Sequence, residues 1–190
     1  MVRAIWHAIF LSIFFCALPL AAQEVSAGAD SRACGDPATK FDVKRGDAHT
    51  PIQPVDGMAV VVVVEDDTNF NSVPKPVTRI GMDGQWVSAT HGNSFTSFLV
   101  SPGKHNLCAS WQSGAALGLA GATSLKKMSR RSSVHEVDAQ AGQIYYFQVK
   151  NVFISPDQAP DIVEIHLAPV DNGEGHLLTS DRTASHATMK

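Results

Sequence analysis

The chain lacks the motifs by which catalytic and nucleic-acid-binding proteins usually show themselves. No serine stands in a Gly-x-Ser-x-Gly setting, and no spacing of Ser, His and Asp stands out. There is no Cys-x-x-Cys, no His-Glu-x-x-His and no glycine-rich loop leading from a strand into a helix. No basic run could follow a phosphate backbone, and the whole chain has a net charge of −3, which argues against a nucleic-acid partner. Past residue 20 no stretch is apolar enough to span a bilayer, and no long helical period appears.

What is present begins with an address. Met1 to Arg3 is short and basic, Ala4 to Leu20 is apolar apart from His7 and Ser12, and Leu20-Ala21-Ala22 offers small residues before Gln23. That order predicts a secretory signal peptide over 1–22, with an uncleaved anchor as the alternative. Cys16 follows Phe14 and Phe15, which are too bulky for a lipoprotein signal, so it reads as an ordinary residue of the apolar segment. The expected location is therefore the periplasm, the outer surface or the medium, with no stable membrane span after cleavage.

Cleavage leaves two cysteines, Cys34 and Cys108. In an exported protein that pair predicts a disulfide. By the chain-entropy argument, closing so long a loop contributes about 4 kcal/mol, less any strain. Two unrelated thiols are the alternative reading.

The remainder reads as short strands punctuated by turn residues. Asp83-Gly84, His91-Gly92-Asn93 and Pro102-Gly103 divide Gly81 to Gln112 into a meander. Five consecutive valines at 60–64 make Met58 to Glu65 a central strand buried on both faces, since β-branched residues suit a packed, pleated surface. Further strands are expected at Lys40 to Lys44, Val77 to Met82, Gln85 to Ala89, Phe95 to Val100, Lys104 to Gln112, Val134 to Ala139, Gln143 to Lys150 and Ile162 to Leu167. Between Lys104 and Gln112, the period of two sets His105, Leu107, Ala109 and Trp111 on the inner face and Cys108 on the other, where an N-terminal strap could reach it. The fold expected is all-β: one antiparallel β-sandwich of about seven to nine short strands. Its divisions are a signal peptide (1–22), an extended N-terminal strap (23–56), the sandwich (57–170) and a polar, frayed C-terminal tail (171–190). Residues 113–133 read either as a long loop or as a loop with a short strand or helical turn.

Candidate ligand contacts cluster on the meander: Trp86, His91, Asn93 and Phe95. Aromatics beside amides suit a carbohydrate or peptide groove, and they equally suit a small β-core. His49, His91, His105, His135, His166, His176 and His186 show no paired metal-ligand spacing, and Glu65-Asp66-Asp67 lacks the loop spacing of a calcium site. The reading is therefore no metal and no cofactor, with the acidic run as a solvated strand end. A hydrolase would need a base beside Ser94, Ser97 or Ser110.

One resemblance adds to this. Pro102-Gly103-Lys104-His105 and Ala141-Gly142-Gln143-Ile144-Tyr145-Tyr146, in this order after the valine strand and Asp83-Gly84, resemble the bacterial exported domain-of-unknown-function family 2846 over roughly Met58 to Val170. A Cys-Gly segment ahead of Lys40-Phe41-Asp42-Val43-Lys44 is similar to a secreted subgroup of it. The resemblance implies a transthyretin-like or carboxypeptidase-regulatory-like β-sandwich with no established enzymatic activity. Together, these readings give a non-catalytic exported module that binds or scaffolds an envelope protein. The alternative is a small-ligand domain, for carbohydrate, peptide or metal, using the loops from Trp86 to Phe95.

Overall fold

A computed structural model describes residues 29–30, 34–66, 77–112, 131–153 and 163–190. The expected signal peptide, the loop 69–76, residues 113–130 of the undecided stretch 113–133 and the loop 155–160 lie outside the described residues; residues 131–133 are the start of a strand. Eleven strands and one helix are described. They are β1 (Ala29–Asp30), β2 (Phe41–Arg45), β3 (Ala59–Asp66), β4 (Val77–Met82), β5 (Gln85–His91), β6 (Ser94–Val100), β7 (Gly103–Trp111), β8 (Arg131–Ala139), β9 (Ile144–Phe153), β10 (Val163–Val170), α1 (Asn172–Ser180) and β11 (Thr183–Met189). They form two sheets, β1-β8-β7-β4-β5 and β10-β9-β3-β6-β11-β2, so the protein is an all-β sandwich.

The valine strand lies inside the six-stranded sheet, antiparallel to β6 and parallel to β9. Val60 to Val64 are all fully buried. Val61 and Val63 face the space between the sheets with Ile80, Leu107, Ala109, Trp111, Phe147, Val149 and Leu167. Val60, Val62 and Val64 face the other way, toward Phe95 and Tyr146. Burying such a side chain contributes about 1.5–3 kcal/mol, so this one strand anchors two cores at once. Two pairings are parallel, β3 with β9 and β11 with β6, so the sandwich is mixed where a purely antiparallel one was expected. A parallel neighbour requires a crossover connection rather than a hairpin, and β3 reaches β9 only after the chain has built most of the other sheet.

Each sheet also has an outer face, and part of each is covered; Lys104, Asn106, Glu136 and Asp138 stay exposed on the five-stranded sheet, and His166 and Ala168 on the other. On the five-stranded sheet, Cys34 is bonded to Cys108, and the strap lies over Trp86, Ala89 and Val134. Trp86 Nε1 donates to the Asp36 carbonyl at 2.7 Å. Arg79 donates to the carbonyls of Thr39 at 2.9 Å, Pro37 at 3.3 Å and Trp111 at 3.3 Å. Its guanidinium lies 4.2 Å from the Trp86 ring centre. Burial lowers the proton affinity of Arg79, and the nearby Asp36 carboxylate opposes that. Gly35 has φ +146°, and a Cβ there would meet the Trp86 ring at 2.7 Å, so only glycine lets the strap lie this close.

The six-stranded sheet is covered by α1. Asp171 caps it, its Oδ1 accepting from Glu174 N at 2.8 Å. Gly175 rests on the Tyr146 ring, where any Cβ would collide with Cγ, and Leu178 packs on the same cluster. β11 then runs between β6 and β2. The C-terminal segment read as a frayed tail is thus a capped helix and an interior strand. Its glycines and small polar residues carry low intrinsic propensity, and neighbours hold it instead. The strap is similarly tied at its far end: the Gln112 side-chain amide accepts from Phe41 N at 2.6 Å and donates to Phe41 O at 3.1 Å.

A candidate functional site at the loop end of the sandwich

The two ends of the sandwich differ. At one end sit the tight turns: Asp56-Gly57, Asp83-Gly84, Pro102-Gly103 and Ala141-Gly142. Asp83 and Gly84 have φ of 51° and 78°, the mirror-image hairpin turn that Asp-Gly favours. His105 ties two of these turns together. Its Nδ1 lies 2.6 Å from Asp83 Oδ2, and its Nε2 lies 2.8 Å from the Ser101 carbonyl. Asp83 Oδ1 also accepts from Asn106 N at 2.8 Å. Two acceptors facing both ring nitrogens favour the doubly protonated imidazolium. The hydrogen bond to Asp83 raises the His105 pKa, and the same bond lowers that of Asp83.

At the opposite end lie the strand ends Asp66, Val77, His91, Ser94, Trp111, Arg131, Phe153 and Val163. The register places them together, because β4 pairs Val77 with His91 and Thr78 with Trp111, while β3 and β9 run parallel to Asp66 and Lys150. Beneath this end is a polar layer. Glu65 is fully buried, with Oε1 accepting from Thr78 Oγ1 at 2.7 Å and Oε2 from Thr90 Oγ1 at 2.5 Å. Ser88 and Thr96 share a 2.6 Å hydrogen bond between the sheets. Asp66, one residue on, points to the other face. It accepts from Gln148 Nε2 at 3.1 Å and lies 3.7 Å from the Arg182 guanidinium. Ser94 and Ser185 hydroxyls meet at 2.5 Å, and Arg45 donates to the Gly92 carbonyl at 2.6 Å.

Alternation along β3 explains the division of the acidic pair. Ala59, Val61, Val63 and Glu65 occupy one face; Val60, Val62, Val64 and Asp66 occupy the other. The expected solvated strand end is therefore corrected: Glu65 is interior and Asp66 half-buried. Asp67 lies outside the described residues. The signal was available in the period of two, but a run of five valines obscures which face is which. Chemically, the layer is a carboxylate held by two hydroxyl donors. Hydrogen-bonded in this way, it rigidifies the end of the core beneath the loops.

The four candidate contacts do not converge. Trp86 is buried beneath the strap, at the turn end of β5. Phe95 is fully buried on the outer face of the six-stranded sheet. His91 is half-buried at the loop end, and Asn93 is exposed there with φ 48°. A groove using all four is corrected by this placement: both aromatics are spent on covering the two sheets. Cys34 and Cys108 are joined as expected. Among the described residues no group of three His, Cys, Asp or Glu is arranged to hold a metal, and no helix is long and apolar enough to cross a membrane. The hydrolase candidates also lie apart. Ser94 bonds to Ser185 and to the His91 backbone, Ser97 accepts from Ile52 N, and the Ser110 hydroxyl is buried.

Comparison of the chain with protein-family models, with curated proteins and with solved structures found no match.

Proposed function

We propose that this is an exported, non-catalytic β-sandwich that binds or scaffolds another component of the cell envelope through its loop end. The observation that carries the reading is the burial of the apolar part of both outer sheet faces, one under a disulfide-bonded strap and the other under α1. The end above Glu65, where the strand termini of three longer connections and the His91–Asn93 turn gather, is the surface this reading assigns to recognition, because loops carried on a rigid scaffold are where binding residues concentrate. The fold and disulfide suit an oxidising compartment, and export rests on the signal-peptide pattern of residues 1–22. Membership of the exported family 2846, implied by the Pro102–His105 and Ala141–Tyr146 stretches, belongs to the same proposal.

Burial of Trp86 and Phe95 weighs against the small-ligand version that used their rings. The test is a photo-crosslinking residue at Asn93, with Gln140 at the turn end as control, activated in intact cells. A reproducible protein adduct from Asn93 and not from Gln140 is expected. Adducts from neither position on a soluble monomer would overturn the scaffolding reading and call for screening sugars, peptides and metals.

A further inference from the structure

Three buried polar atoms under the strap have no protein partner: Arg79 Nε, Ser110 Oγ and Ser132 Oγ. They are not scattered. Arg79 on β4 is the direct register partner of Ser110 on β7. Ser132 on β8 stands one step along the ladder from the Ala109–Ser133 pair, opposite Ser110. All three point to the outer face, because Ala109, Val137 and Ala139 occupy the inner one. Their exposures are 3%, 0% and 2%, so bulk water does not satisfy them. The remaining nitrogens of Arg79 are already committed to the carbonyls of Pro37, Thr39 and Trp111. The other two unpartnered atoms lie elsewhere, Tyr146 Oη on β9 and Arg182 Nε in the turn between α1 and β11.

Directly opposed residues on neighbouring strands have Cβ atoms about 4.5–5.5 Å apart. Three partnerless donors thus stand on three successive strands, β4, β7 and β8, on one face of the sheet. Leaving all three unpaired would be costly, and buried groups of this kind are normally satisfied by protein or by ordered solvent. No carboxylate forms a direct ion pair with Arg79 among the described residues, although Asp36 is near enough to act on its charge, so the row is rich in donors.

We propose that Arg79, Ser110 and Ser132 form a buried site for one water-sized hydrogen-bond acceptor, a water molecule or a chloride ion, which joins β4, β7 and β8 beneath the disulfide-bonded strap. This site is independent of the loop-end reading. Its occupant completes the underside of the strap, where backbone carbonyls, the Trp86 ring and the disulfide already hold the polypeptide down.

The test is the double variant Ser110→Ala/Ser132→Ala in the oxidised full chain, melted in sodium chloride and in sodium gluconate at equal ionic strength. If the hydroxyls hold a bound acceptor, the melting temperature falls by about 3–6 °C. An equal fall in both salts identifies water. A fall confined to chloride, with wild-type protein more stable in chloride than in gluconate, identifies the anion. An unchanged or raised melting temperature in both salts overturns the site, because removing two truly unpaired buried hydroxyls is neutral or stabilising. Should the variant fail to fold, a crystal structure of the wild type grown with bromide decides. A water or bromide peak within hydrogen-bond reach of all three atoms supports the site, and no peak there overturns it.

Discussion

The two covers of this sandwich solve one problem by opposite means. The five-stranded sheet carries Arg79, Trp86, Ser110, Ser132 and Cys108 on its outer face, and a non-repetitive strap lies over them. A segment with no hydrogen-bonded repeat of its own must be tied at many points, and here a disulfide and three side-chain-to-carbonyl hydrogen bonds do so, with a guanidinium–indole contact beneath them. The six-stranded sheet carries Val60, Val62, Val64, Phe95 and Tyr146 on its outer face, and a nine-residue helix sits on them. A helix satisfies its own backbone, so α1 needs only a cap at Asp171 and an apolar seat at Gly175 and Leu178. A polar face is covered by specific, covalently secured contacts; an apolar face is covered by shape alone.

That contrast can be broken most sharply at the disulfide. Cys108→Ala should lower stability by about 4 kcal/mol through the unfolded-state entropy of the long loop, with the two sheets retained. Thermal melts of oxidised and reduced protein, read beside far-UV circular dichroism, check this. Equal melts would show that the strap is held by its polar contacts alone. The corresponding blow to the other cover is Gly175→Ala, whose Cβ would strike the Tyr146 ring at its root. A cost of about 1–3 kcal/mol is expected as α1 lifts, with increased amide exchange confined to 172–180.

A smaller effect lies away from both covers, at the turn end. The folded-state pKa of His105 is raised, so its contribution is complete below the unfolded value of about 6.5 and is lost as pH rises through the higher folded value. The lowered pKa of Asp83 works the other way: its contribution is present above the unfolded value and lost as pH falls through the folded one. Stability should therefore decline from mildly acidic toward alkaline pH, and His105→Gln should flatten that decline while leaving both covers in place. A profile of melting temperature against pH measures it. Least of all, Tyr146→Phe removes a buried hydroxyl that has no partner, and the melt should stay within about 0.5 kcal/mol of wild type or improve slightly. A marked loss would mean that the helix cover also depends on a polar tie.

The strands were legible wherever local chemistry and burial agree. The valine run, the Asp83-Gly84 and Pro102-Gly103 turns and the alternation of Leu107, Ala109 and Trp111 against Cys108 each carry their own cause. The strap's docking was half legible: two cysteines announce a closure, but nothing local says that Arg79 and Trp86 stack beneath it. The loop-end layer was not legible, because Glu65 looks like the solvated end of a strand until its Thr78 and Thr90 donors are placed by other strands. Trp86 and Phe95 looked like a shared groove because they are close in sequence. The turn at His91–Asn93 carries them into different sheets.

What this sequence determined alone is its β character, the positions of its tight turns and the buried valine strand. These follow from side-chain branching and φ preferences, which are short-range facts. The tertiary structure alone decided that residues 172–189 are a helix and an interior strand, that β3 and β9 run parallel, and that Glu65 turns inward. Each of these depends on neighbours distant in sequence: Tyr146 seats Gly175, β2 and β6 pair with β11, and two threonines from other strands meet one carboxylate.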